Sequence, residues 1–249
     1  MPSRDDTGLR RLAVVTGGGK GIGLACARAL TAKAVDVIAF GRDEAALVAS
    51  GFDYRVCDVT DEAAVAACFG PLAVDILVNN AGSSMSAPLP RTTLADWNAA
   101  FADNATSAFL CTRAVVDGMR ARGWGRVVTV ASTASHAGTP FIAAYAAAKH
   151  AVLGLTRVAA AELIGTGVTA NSVCPAFVRT DMTRRSIENI VARTGRTEAE
   201  SEAILAAASA LGRLLEPEEV AAAVAYLCSD AAGALNGQSI ILDGGTIPS

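Results

Sequence analysis

Short apolar runs and helical stretches alternate along almost the whole chain, and few architectures accept that order. The apolar runs cover residues 12–16, 35–40, 54–59, 75–79, 126–131, 169–175 and 239–243. Helical patterns stand between them at 21–34, at 61–69, at 93 to about 122 with Gly118 as a candidate stop, and at 143–164. Asp43 caps a further short helix through Ser50, an irregular or helical segment runs from 186 to 210, and Pro217 opens the last helix. Parallel strands joined by helices are covered on both faces, which is why their runs are apolar without alternation. The chain therefore reads as one doubly wound α/β domain over residues 1–249, since no linker, repeat or composition break divides it. Ligands of such sheets bind beyond the carboxyl ends of the strands, at the point where the strand order reverses.

Composition narrows the function. A net charge of -3 with no Lys/Arg block excludes a nucleic-acid footprint. The longest uncharged run, residues 127–148, carries Ser132, Thr133, Ser135, His136, Gly138, Thr139 and Pro140 in its middle, so no membrane span is expected. Residues 1–11 include Arg4, Asp5, Asp6, Arg10 and Arg11 and no apolar stretch; they are expected to form a flexible tail on a cytoplasmic protein. The six cysteines form no CxxC pair and the chain has two histidines, so reduced, mostly buried thiols and no metal site are expected.

Thr16-Gly17-Gly18-Gly19-Lys20-Gly21-Ile22-Gly23 lies between the first strand and the first helix. Glycine there lets the backbone turn sharply and approach a pyrophosphate, whose charge then meets the helix N-terminus. Gly17, Gly19, Lys20, Gly21, Ile22 and Gly23 are accordingly the candidate dinucleotide-binding residues of this turn.

The TGxxxGxG spacing of that turn is followed by Asn79-Asn80-Ala81-Gly82 and by Tyr145-Ala146-Ala147-Ala148-Lys149, with Ser132 thirteen residues before Tyr145 and Asn104 in the preceding helix. In these motifs, and over essentially its whole length, the chain resembles the classical short-chain dehydrogenase/reductase family. The resemblance implies a Rossmann-type sheet, an NAD(P) cofactor and a catalytic group of Asn104, Ser132, Tyr145 and Lys149. It also implies cofactor contacts from Asn79, Ala81 and Gly82, from Asp58 and Val59 at the adenine, and from Pro175, Val178 and Thr180 at the nicotinamide end. Ala176 replaces the glycine that the family usually carries after that proline. The family further implies a homotetramer joined through the helices at 93–122 and 143–164, and a substrate lid at about 183–212.

Cofactor preference rests on the second strand. Its tip is Gly41, followed at once by Arg42, so no carboxylate occupies the position that bonds the ribose hydroxyls of NAD. Arg42 can instead meet a 2′-phosphate, with Lys20 as a second positive charge, and NADP(H) is the expected cofactor, NAD(H) the lesser one.

A tyrosine that exchanges protons near neutral pH needs a neighbouring positive charge to favour its phenolate. Lys149, four residues on, projects from the same helix face. Of the 21 basic residues only Lys20, Lys33 and Lys149 are lysines, and two of the three stand in motifs. The resemblance makes Tyr145 the proton donor or acceptor at a carbonyl oxygen, Ser132 its partner there, and Asn104 the holder of a relay water. The expected activity is NADPH-dependent reduction of a ketone, a 3-oxoacyl thioester or related β-keto compound. The alternative is an NAD(P)-dependent dehydrogenase of a secondary or cyclic alcohol or hydroxyacyl compound. The lid region looks closer to polyketide ketoreductases and hydroxyacyl dehydrogenases than to the simplest 3-oxoacyl-acyl-carrier-protein reductases, and its arginines, Arg184, Arg185, Arg193 and Arg196, are candidates for a carrier phosphate.

Overall fold

The computed structural model describes residues 10–247. Seven parallel strands form one sheet: β1 (Leu12–Thr16), β2 (Asp36–Gly41), β3 (Asp53–Val56), β4 (Ile76–Asn79), β5 (Gly125–Val130), β6 (Val168–Pro175) and β7 (Ser239–Leu242). Their order is β3-β2-β1-β4-β5-β6-β7, so the sheet grows in one direction from β1 to β3 and in the other from β4 to β7. The loops after β1 and β4 part at that reversal and open a crevice.

Alternation along each strand feeds two cores. Ala13 and Val15 of β1, Ile76 and Val78 of β4, and Val128 and Val130 of β5 face one side, packed with Leu30, Val224 and Leu227. Val14, Leu77 and Val127 face the other, with Phe40, Phe69, Leu110, Met119 and Leu163. Helices α1 (Gly21–Thr31) and a C-terminal helix, Pro217–Leu227, contribute to the first core. Helices α2 (Glu44–Ser50) and α3 (Glu62–Phe69) follow β2 and β3, each capped by an aspartate: Asp43 accepts from the Ala46 N–H and Asp61 from the Ala64 N–H.

The stretch expected as one helix at 93–122 is α4 (Leu94–Phe101), a wide π turn (Ala102–Thr106) and α5 (Ser107–Arg122). Gly118 does not stop it. It lies on the solvent face of α5, whose neighbour Met119 is buried, and the helix ends at Gly123, with φ +71°. Helix α6 (Ala143–Glu162) leads into β6, and α7 (Asp181–Thr194) and α8 (Glu198–Ala206) fill the segment expected as irregular or helical; the C-terminal helix is α9.

Residues 1–9 of the expected tail lie outside the described residues. Arg10 and Arg11 do not belong to a tail: Arg11 is buried, stacked 3.5 Å from the centroid of the Trp124 ring and paired with Asp230 at 2.8 Å. All six cysteines are free, and five are buried. Among the described residues no helix is long and apolar enough to cross a membrane.

Candidate active site

Thr16 and Asn80 hold the crevice at the reversal point. The Thr16 hydroxyl accepts from the N–H groups of Asn80 and Ala81 at 2.9 and 3.0 Å, and Asn80 Nδ2 donates to the Thr16 carbonyl at 2.9 Å. These bonds fasten the end of β1 to the end of β4. At Gly17, φ is +65°, and a Cβ at Gly23 would stand 2.2 Å from the Gly17 carbonyl oxygen. Only glycine lets the first turn of α1 lie this close to the loop.

A cavity of about 210 Å³ opens beside this turn. Of the residues expected at the cofactor, Gly17, Gly19, Lys20, Arg42, Asp58, Val59, Ala81 and Gly82 line it. Both cations are held loosely: Arg42 Nη1 lies 4.0 Å from Asp58 and 3.8 Å from Asp103, and Lys20 Nζ lies 3.6 Å from Asp43. At these distances none is a well-formed hydrogen bond, so an arriving phosphate can replace the carboxylates. Asp58 spends one oxygen on Thr60, accepting from its N–H and its hydroxyl, which holds the Asp58 carboxyl below the usual range. It does not cap α3, a task that falls to Asp61.

The other expected cofactor residues stand elsewhere. Asn79 is buried with its side chain turned to the far face of the sheet, where Nδ2 donates to the Thr112 hydroxyl at 2.9 Å. Ile22 packs against the first core. Gly21 lies under Thr180, whose methyl a Cβ there would meet at 3.4 Å. Thr180 caps α7, Pro175 ends β6, and Val178 is buried with its carbonyl accepting from Thr183 and Thr180. Ala176 is not among the positive-φ residues, so replacing glycine there brings no backbone strain.

The catalytic candidates converge from three elements. Ser132 follows β5 and caps a short 3₁₀ turn, its Oγ accepting from the Ala134 N–H at 3.1 Å. Tyr145 and Lys149 come from the first turns of α6, with Lys149 Nζ 5.7 Å from the centroid of the tyrosine ring. Lys149 is 5% exposed and donates to the Val130 carbonyl at 2.9 Å; burial pulls its pKa down to about 8. Burial is the largest influence on the Tyr145 phenol and raises it above its ordinary value, and the hydrogen bond with Ser132 opposes it.

Asn104 sits in the π turn, a helix defect often found at functional sites. Its Nδ2 donates to the carbonyls of Ser83 and Ala100, each at 2.9 Å, while its Oδ1 is buried without a partner among the described residues. A Cβ at Gly82 would stand 2.5 Å from that Oδ1 and 3.7 Å from Lys149 Nζ, so Gly82 keeps open the gap between them. Sequence reasoning assigned no role to Thr16, Asn80 or Asp103. Asp103 accepts from the Ser83 hydroxyl at 2.5 Å and faces Arg42. Thr16 and Asn80 stand inside the quoted motifs and were within reach, whereas Asp103 carried no signal.

A doubly wound sheet with a glycine turn at its reversal point, and a tyrosine, serine and lysine gathered beyond β5, defines an oxidoreductase that works with a nicotinamide dinucleotide. Residues 17–246 match the family model described as Enoyl-(Acyl carrier protein) reductase. The chain is 38% identical to the acetoacetyl-CoA reductase of Rhizobium meliloti, with 95% of this chain and 98% of that protein covered. It is 32% identical to the D-beta-hydroxybutyrate dehydrogenase of the same organism, over 95% and 98%. A structure of an actinorhodin polyketide ketoreductase variant with NADPH superposes with a TM-score of 0.91 at 33% identity, covering 96% of this chain and 98% of that one. The chain belongs to the short-chain dehydrogenase/reductase family.

Proposed function

We propose that this protein is an NADPH-dependent reductase of a ketone, a 3-oxoacyl thioester or related β-keto compound, with Tyr145 as proton donor. The observation that carries the reading is the convergence of Tyr145, Ser132 and Lys149 beyond β5, with Lys149 Nζ 5.7 Å from the centroid of the tyrosine ring. The residues fit a dinucleotide: Gly17 and Gly23 leave a cradle that a Cβ would fill, and Lys20 and Arg42 stand ready for phosphate. When bound, the reduced nicotinamide supplies the hydride. Tyr145 gives its proton to the substrate oxygen, and Ser132 donates a hydrogen bond to the same oxygen as charge develops there. The orphaned Asn104 Oδ1 holds a water next to Lys149 Nζ, through which the tyrosine regains a proton. Asp58 and Val59 receive the adenine, and the backbones at Asn79, Ala81 and Gly82 face the ribose beside it. Pro175, Val178 and Thr180 close the nicotinamide end, and α7 and α8 form the lid over the substrate. Six free thiols suit a cytoplasmic location.

The direct test follows NADPH oxidation with acetoacetyl-CoA as acceptor, NADH in parallel. Turnover with NADPH supports the whole reading, whereas binding of NADPH without consumption leaves the cofactor assignment and removes the thioester. Arg42→Asp is expected to lower the kcat/KM ratio of NADPH to NADH roughly a hundredfold, since it removes a phosphate contact and adds a repulsion. An unchanged ratio would show that Arg42 does not read the 2′-phosphate. The second reading, an NAD(P)-dependent alcohol dehydrogenase, draws on the carboxylates of Asp43, Asp58 and Asp103 that stand by the two cations. It predicts faster alcohol oxidation with NAD than ketone reduction with NADPH.

A homotetramer is part of the proposal. Leu94 and Trp97 of α4, Phe109 of α5 and Val158 of α6 are exposed apolar side chains on the helices the family uses for assembly. Light scattering at micromolar concentration should give four times the chain mass, and a stable monomer would overturn the assembly.

A further inference from the structure

Among the arginines around the lid, some are paired with carboxylates of the described residues and others, Arg91, Arg185, Arg193 and Arg196, are not; of these only Arg91 and Arg193 line a common hollow. Arg179 pairs with Glu202 and Glu216 at 3.0 and 3.1 Å, Arg184 with Glu188 at 2.6 Å, and Arg213 with Glu219 at 2.7 Å. That removes Arg184 from the candidates for a carrier phosphate. Arg91 and Arg193 have no carboxylate of the described residues within 4.0 Å, and the one polar contact of Arg193 is Nη2 to the Ser86 carbonyl at 3.5 Å.

These two come from distant elements, Arg91 from the 3₁₀ turn Leu89–Arg91 and Arg193 from the last turn of α7, yet they line one hollow of about 470 Å³ with Ala87 and Pro88. A cation in the last turn of α7 suits the helix C-terminus, but that does not account for its convergence with a second one. Two like charges line one open hollow in a chain of net charge -3, where carboxylates for pairing are plentiful. The hollow is tied to the segment that leads into α6. The Ala87 N–H donates to the Phe141 carbonyl at 2.7 Å, four residues before Tyr145, and the Ser83 carbonyl on the same loop holds Asn104. Phe141 itself is 60% exposed with φ +70°, a strained residue at the start of the segment that delivers Tyr145.

Two planar guanidinium groups without a carboxylate partner among the described residues, lining one solvent-open hollow near the start of α6, suit a phosphate in charge and in the donors they offer. We propose that Arg91 and Arg193 clamp the phosphate of a phosphopantetheine arm, so that the enzyme takes its β-keto substrate as a thioester on that arm. The arm belongs to CoA or to a carrier protein, and the phosphate chemistry is common to both. The inference rests on the β-keto thioester reading and narrows it.

The experiment compares acetoacetyl thioesters of pantetheine, phosphopantetheine, CoA and a phosphopantetheinylated carrier protein, with NADPH saturating. Wild-type enzyme is expected to prefer phosphopantetheine over pantetheine in kcat/KM. Each of Arg91→Gln and Arg193→Gln should cut that preference about tenfold, or about 1.4 kcal/mol, and the double variant should bring it close to one. Because the hollow is open to solvent, the wild-type preference should also shrink as salt is raised from 0.01 to about 0.5 M, which checks the clamp without any variant. CoA or carrier thioester exceeding bare phosphopantetheine identifies the source of the arm. Equal rates with pantetheine and phosphopantetheine in the wild type, or a preference that survives the double substitution, overturns the clamp and leaves the thioester reading standing. Failure to reduce any of the four thioesters, while a simple ketone is reduced, overturns both.

Discussion

Replacing Tyr145 with phenylalanine is expected to lower kcat for ketone reduction roughly a thousandfold, because it removes the proposed donor of the proton to the substrate oxygen. NADPH affinity should stay within about twofold, since Tyr145 is not among the residues lining the cavity at the glycine turn. Fluorescence titration with NADPH and initial rates with acetoacetyl-CoA measure the two quantities separately. The pH dependence adds a sign. Burial raises the phenol above its ordinary value, so the donor form persists through neutral pH and reduction should slow only as alkali removes its proton. Oxidation of the corresponding alcohol needs the opposite form and should rise over the same range. A Tyr145→Phe enzyme that kept a tenth of the rate, or a reduction rate that climbed with pH, would take the tyrosine out of the proposed role.

Much of the fold was legible because the central strands are buried on both faces. All four residues of β4 and all six of β5 are buried, and such strands show as short, largely apolar runs, here Ile76–Val78 and Val127–Val128. The helix at 93–122 shows where that legibility ends. Glycine in a helix costs about 1 kcal/mol, too little to stop one whose Val115 and Met119 are buried on the other side. The π turn has no periodic signature. It lies where Asn104 sends its side-chain amide back to the Ala100 carbonyl, a choice made by tertiary surroundings.

The two asparagines at 79 and 80 teach a similar lesson about the site. Asn79 ends β4 and shares the face of Leu77, which packs in the core beneath α5, so strand parity alone turns its side chain toward Thr112. Asn80 points the other way and ties the glycine turn to the sheet. The motif was plain, but the division of labour within it required the register. Likewise the four-residue spacing put Tyr145 and Lys149 on one face, while burial decided their protonation, and burial is not written in spacing.

That burial sets a cost on the site, and Lys149 is where it is largest. Its pKa falls from 10.5 to about 8 on folding, and at about 1.36 kcal/mol per unit the buried ammonium costs the native state roughly 3 kcal/mol. The native protein binds this proton more weakly than the unfolded chain does, so the cost is fully present below pH 8 and fades as pH rises toward 10.5. Lys149→Met removes it. The substitution forfeits the bond to the Val130 carbonyl, worth about 1 kcal/mol, and fills the same space with an unbranched apolar chain. The variant should therefore be about 1–3 kcal/mol more stable than wild type in urea unfolding at pH 7, with most of that advantage gone by pH 10. Its turnover should fall roughly a thousandfold, since the proposed relay to Tyr145 ends at this ammonium. A variant less stable at pH 7, or one whose advantage ignored pH, would mean that the ammonium is better solvated than its surroundings imply. The stated outcome would instead mark Lys149 as a residue retained at the expense of the fold, which is the behaviour expected of a charge kept for chemistry.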